Sequence, residues 1–86
     1  MSFEYDPEKS DSNQLKHGID FDKAQQLWSD SYRIEVEARS TTENRFLVIG
    51  KIDEKHWSAI ITYRGEVIRI ISVRRARENE VKLYES

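Results

Sequence analysis

The 86-residue chain has no cysteine, which excludes a disulfide and any thiolate chemistry. It has two histidines and no HExxH spacing, so good ligands for a catalytic metal are too few. Its three glycines, at 18, 50 and 65, never cluster. A loop that cradles phosphate with successive backbone N–H groups is therefore excluded. No serine lies in a nucleophile-elbow motif. No apolar run reaches the roughly 18 residues that a membrane span needs. The opening MSFEYDPEK lacks a signal-peptide pattern, so the cytoplasm is the expected compartment. Apolar residues make up only 37% of the chain, which predicts one small domain over residues 1–86 with a thin core.

Charge is what the chain has in quantity, and it is unevenly placed. Residues 1–63 carry eight basic and twelve acidic side chains. The window from Arg64 to Arg77 holds five arginines against Glu66 alone, a net +4. The whole chain is at −2 with a pI near 5.7, unlike a general nucleic-acid binder, which is basic overall. A local basic cleft is still compatible with that balance. Guanidinium groups on a rigid element suit phosphate, because the planar fork binds two oxygens at once.

Secondary structure follows from period and punctuation. Phe3 and Tyr5 alternate with polar residues, as in a brief strand. Asp6-Pro7 opens a helix that stops at Gly18. Asp20 caps a second helix, with Phe21, Ala24, Leu27 and Trp28 as its apolar stripe and Ile19 stapled to Ala24. From Tyr32 the period changes to two, and strands are expected over Tyr32–Ala38, Arg45–Ile52, His56–Tyr63 and Val67–Arg74. Ser40–Asn44, Asp53–Lys55 and Arg64-Gly65 are the turns between them. Connections this short predict an antiparallel meander. Arg75–Tyr84, free of Gly and Pro, reads as a last helix. The fold class is α+β: two N-terminal helices, a four-stranded antiparallel sheet and a C-terminal helix. Trp28, Phe21, Leu27, Ile34 and Leu83 are the expected core.

What remains is a Lys-His-Gly segment at a helix end, where a histidine can also serve simply as a cap, and an arginine-rich strand exit; these residues suit the cleavage of RNA by its own 2′-hydroxyl. It needs a base, an acid and cations on the phosphate, and no cofactor. His17 suits proton transfer, since imidazole titrates near neutrality. Lys9, Asn13 and Lys16 share one face of the first helix beside it. The arginines supply electrostatic stabilisation, commonly the largest contribution. Tyr63 and Tyr84 are candidates for stacking on a base. Strand alternation places Arg69 and Arg75 on one face and Arg74 on the other. A groove from His17 past Arg69 to Arg74 is the expected site, with Arg64 far away at the opposite strand end.

Two stretches carry a family resemblance. FEYDPEKSDSNQLKHGIDFDKA resembles the N-terminal signature of the BrnT toxins, and IRIISVRRARENEVKLYE is similar to their strand–helix signature. RFLVIG and ITYRG between them also fit. The resemblance implies a type II toxin with a RelE-like fold and metal-independent ribonuclease activity. It implies a BrnA-like antitoxin with a ribbon-helix-helix part, through which alone operator DNA would be contacted. By position in the motifs it implies Lys16, His17, Arg64, Arg69, Arg74 and Arg75 as active-site residues, and Glu80 and Tyr84 as lesser ones. The alternative is a non-catalytic protein of the same fold that acts as co-repressor with a DNA-binding partner.

Overall fold

The computed structural model describes residues 1–39 and 43–86. Ser40 to Thr42, in the expected polar turn, lie outside the described residues. The chain runs β1 (Ser2–Glu4), α1 (Pro7–His17), α2 (Phe21–Ala24), a 3-10 helix (Gln25–Ser29), β2 (Ile34–Ala38), β3 (Arg45–Ile52), β4 (Lys55–Arg64), β5 (Val67–Arg75) and α3 (Glu78–Glu85). Among the described residues no helix is long and apolar enough to cross a membrane.

The N-terminal helices start and stop where their sequences dictate. The Asp6 carboxylate accepts the Glu8 N–H at 2.9 Å, and Pro7 follows where a missing N–H costs nothing. Gly18 ends α1 at φ +77°, a left-handed conformation that suits glycine. Asp20 caps α2 by accepting the Lys23 N–H at 2.8 Å. The second helix is shorter than expected as α-helix and continues in 3-10 form. Its fully buried residues, Phe21, Ala24 and Leu27, recur every third position. Three residues per turn keep that row on the sheet, where 3.6 would rotate it away.

Among the described residues the sheet has five strands, in the order β1-β5-β4-β3-β2. The four long strands form the expected antiparallel meander. The sheet is nevertheless mixed, because β1 adds beside β5 in parallel, pairing Phe3 with Ile68. The chain between them supplies the long crossover that a parallel pair requires. The β4–β5 turn is Gly65-Glu66, one residue later than expected, with Gly65 at φ +61°. β5 extends through Arg75, so α3 begins three residues later than predicted.

α1, α2 and the 3-10 helix cover one sheet face, building the core from Ile19, Phe21, Ala24, Leu27, Val48, Ile61, Ile70 and Val73. Gly50 lets the 3-10 helix approach: a Cβ there would lie 3.0 Å from Leu27 Cδ2. α3 lies on the opposite face, where Ile49 and Ser58 are fully buried. Of the expected core, Phe21 and Leu27 are buried, and Trp28 is half-buried against Phe3 at 5.0 Å. Ile34 is half-buried on the α3 face. Leu83 is not core: it is 48% exposed, because α3 turns Glu80 and Tyr84 inward instead.

Candidate nucleic-acid interface

One irregularity in β5 decides where its arginines point. Ile61 pairs with Ile70, but Ile60 pairs with Ser72, so Ile71 has no partner. This bulge inserts one residue and inverts the alternation beyond it. Arg69 pairs with Thr62 and Arg74 with Ser58, and both face the α3 side. Arg75, paired with Trp57, faces the helical side. The expected grouping is therefore corrected: Arg69 shares a face with Arg74, and Arg75 is on the other. Simple alternation fails because it assumes an unbroken pleat.

Three of the five arginines are neutralised within the fold. Glu4 of β1 accepts from Arg69 Nη1 at 2.7 Å and lies 3.8 Å from Arg64 Nη1. The structure thus brings Arg64 and Arg69 together at one end of β5. Arg74 stands at the other end, in a two-pronged pair with Glu80 at 2.8 and 2.9 Å. Glu80 also accepts from the Ser58 hydroxyl at 2.9 Å and from the Arg77 N–H at 2.8 Å. The Arg74 hydrogen bonds hold the Glu80 carboxyl down at about 2, and burial opposes them only in part. The same bond raises Arg74 above the ordinary guanidinium value.

The α1 end differs. Asn13 is buried, and its amide is committed to backbone. It donates to Ile19 C=O at 2.8 Å and Val73 C=O at 2.9 Å, and accepts from Val73 N–H at 3.2 Å. β1 reaches only as far as Arg69, so Asn13 satisfies the β5 edge that β1 leaves open. Lys9, Lys16 and His17 are exposed around it. With Ser12, Asn13, Phe21, Ile71 and Ser72 they line a cleft of about 190 Å³. Beyond Gly18, a second cleft of about 270 Å³ is lined by Ile19, Lys23, Ile52, Asp53, Lys55 and Trp57. Arg75 lies over the Trp57 ring, 5.5 Å from its centre, a cation–π contact that fixes the guanidinium without neutralising it.

Lys9, Lys16, Lys55 and Arg75 have no carboxylate partner among the described residues, whereas Lys23 pairs with Asp53 at 2.9 Å. His17 therefore lines a cleft with the unneutralised Lys9 and Lys16, and Gly18 next to it in the chain lines a second with the unneutralised Lys55. That arrangement attracts a polyanion and places one imidazole beside it. Among the described residues no three His, Asp or Glu side chains gather closely enough to hold a metal ion.

The two tyrosines lie elsewhere. Tyr63 stacks edge-on with Phe46 and donates to Glu35, and burial together with that bond pushes its phenol up to about 12. Tyr84 donates to Asp30 at 2.7 Å, which raises it to about 12, and it ties α3 to the end of the 3-10 helix. Burial raises Asp30, but bonds from Tyr84, Lys51 N–H and Tyr32 N–H outweigh it and leave the carboxyl below its ordinary value. Sequence reasoning passed over Lys55, Trp57 and Ser72. Only the β4–β5 register brings Trp57 beneath Arg75, and no local motif signals it. His56, at the start of the third expected strand, is largely covered, with Tyr84 at 5.1 Å and Glu85 at 3.6 Å.

No curated protein matches the chain significantly. A family model does, over residues 5–80, a span that includes α1, the bulged strand and Glu80. The chain belongs to that family, the BrnT ribonuclease toxins of type II toxin–antitoxin systems.

Proposed function

We propose that this protein is a metal-independent endoribonuclease of a bacterial cytoplasm, built on a RelE-like fold. A BrnA-like antitoxin with a ribbon-helix-helix part would hold it inactive, and operator DNA would be met only through that antitoxin. The observation that carries the catalytic reading is His17 in a cleft with Lys9 and Lys16, next to a second cleft lined by Gly18, Lys55 and the Trp57 that Arg75 covers, these four cations having no carboxylate partner among the described residues. In the reaction, His17 takes the 2′-hydroxyl proton of the RNA. The 2′-oxygen then attacks the adjacent phosphorus and the bond to the 5′-oxygen breaks. Lys16, held on the same helix end, supplies the proton that the leaving oxygen needs. Lys9 and Arg75 face the charge that builds on the phosphate, where fixed cations act most strongly. Arg64, Arg69 and Arg74 play a lesser part in this reading, since phosphate would first have to displace Glu4 or Glu80 from them.

The test is cleavage of a labelled single-stranded RNA by purified protein in excess chelator. Parent protein should cleave, and His17→Ala should lose about 10²-fold or more of the rate while keeping its fold. Arg75→Ala should be impaired, and Arg75→Lys should recover little because an ammonium does not stack on Trp57 as a planar guanidinium does. A folded His17→Ala protein that cleaves at the parent rate would move the site to the arginines of the α3 face. A parent protein that never cleaves RNA and never arrests growth on induction without its partner would favour the co-repressor reading.

A further inference from the structure

The sheet has two flanks, and they are treated differently. On the β5 side the sheet ends in the three-residue β1, which covers Val67 to Arg69, and beyond it the Asn13 amide bonds both backbone groups of Val73. On the other side β2 ends the sheet, and among the described residues no strand, bulge or proline protects it. An outer strand of this kind is a template for another extended chain.

The side chains of β2 divide cleanly by face. Ile34, Val36 and Ala38 are half-buried and point to the α3 side, while Glu35 and Glu37 are exposed on the other. Val36 pairs with Leu47, Leu47 with Ile60, and Ile60 with Ser72. A half-buried apolar row therefore crosses the α3 face from the open edge, beyond the part that α3 covers. An added strand would extend this row by one more apolar position.

Charge decides which strand fits. In a two-fold antiparallel pair of β2 with a second copy at full overlap, Glu35 faces Glu37 twice. Parallel pairing in register sets each glutamate against its own copy. Like charges directly opposite destabilise a ladder. Arg33 offers no relief at one end, since its guanidinium is turned onto the carbonyls of Trp28 and Asp30 at 3.3 and 3.2 Å. A strand carrying Lys or Arg opposite the two glutamates converts the repulsion to attraction.

We propose that β2 is a docking edge for an extended segment of a partner protein in which basic residues alternate with apolar ones. The basic residues meet Glu35 and Glu37, the apolar ones continue the row of Ile34 and Val36, and the backbone adds a sixth strand. This inference is independent of the catalytic reading, because β2 contributes nothing to the clefts around His17.

The test uses the full chain and two end-blocked heptapeptides, one of alternating lysine and valine and one of alternating glutamate and valine. Amide exchange is followed residue by residue by NMR. At ten times its dissociation constant the lysine peptide should slow exchange of the outward β2 amides about tenfold, since only the free form exchanges. The glutamate peptide should not bind. Glu37→Lys, at an exposed position, should weaken the lysine peptide and admit the glutamate peptide. Three results would overturn the proposal: no lysine-peptide binding at millimolar concentration, binding that maps away from β2 or ignores Glu37→Lys, or a parent protein that sediments as a dimer with β2 already protected.

Discussion

Glu80→Gln removes a charge from the centre of a four-bond cluster and leaves the shape of the side chain. Glu80 accepts both prongs of Arg74, the Ser58 hydroxyl and the Arg77 N–H, and its side chain is only 8% exposed. Its carboxyl is lowered from an ordinary 4.5 to about 2, mainly by the Arg74 bond. A drop of that size corresponds to roughly 3 kcal/mol at about 1.4 kcal/mol per unit. Arg74 is 25% exposed, so water recovers part of its solvation in the variant. The expected loss at neutral pH is about 2 to 3 kcal/mol. Against a total of roughly 4 to 13 kcal/mol for a chain of this size, that is a large fraction. The sign is set by a depressed carboxyl. The stability it contributes is complete above the unfolded value of 4.5 and lost as pH falls through about 2. Urea titrations of parent and Glu80→Gln from neutral to acid pH would measure the difference directly. The gap should be widest at neutral pH and close as pH falls toward 2. A gap below about 0.5 kcal/mol at neutral pH, or one that does not change with pH, would refute the reasoning.

Other substitutions probe independent parts of the fold. Asn13→Ala strands Val73 N–H and the carbonyls of Ile19 and Val73 in a buried place, and should cost about 2 to 4 kcal/mol by urea titration. Leu27→Ala, at a fully buried position, should cost about 2 to 5 kcal/mol, whereas Leu83→Ala should cost under about 1. Gly50→Ala drives a methyl to 3.0 Å from Leu27 Cδ2 and should cost about 1 to 3 kcal/mol, part of it recovered when Leu27 is shortened to Val in the same chain. Tyr63→Phe should remove a phenolate step near pH 12 from the absorbance titration.

What the sequence determined by itself is what neighbouring residues decide among themselves. Asp6, Pro7, Gly18 and Asp20 set the helix ends because a cap needs only the next few backbone groups. The β2–β5 meander was legible because its turns are short and its strands alternate or run apolar. The Lys16-His17 pair stands where the motif put it, at an exposed helix end. Tertiary structure decided the rest, because the partners are far apart in the chain. β1 joins β5 across more than sixty residues, so no local period could announce a mixed sheet. Helical spacing sets Asn13 on one face with Lys9 and Lys16 as a candidate for substrate, yet its amide bonds a strand sixty positions away and is buried for that reason. Unbroken alternation along the arginine-rich strand would set Arg69 with Arg75 and Arg74 opposite. A bulge at Ile71 regroups them, Arg69 with Arg74 and Arg75 on the other face, and Glu4 and Glu80, from opposite ends of the chain, neutralise three of the window's arginines. Charge is counted along a sequence, but it acts between side chains that only the packed strands bring within a few ångströms of one another.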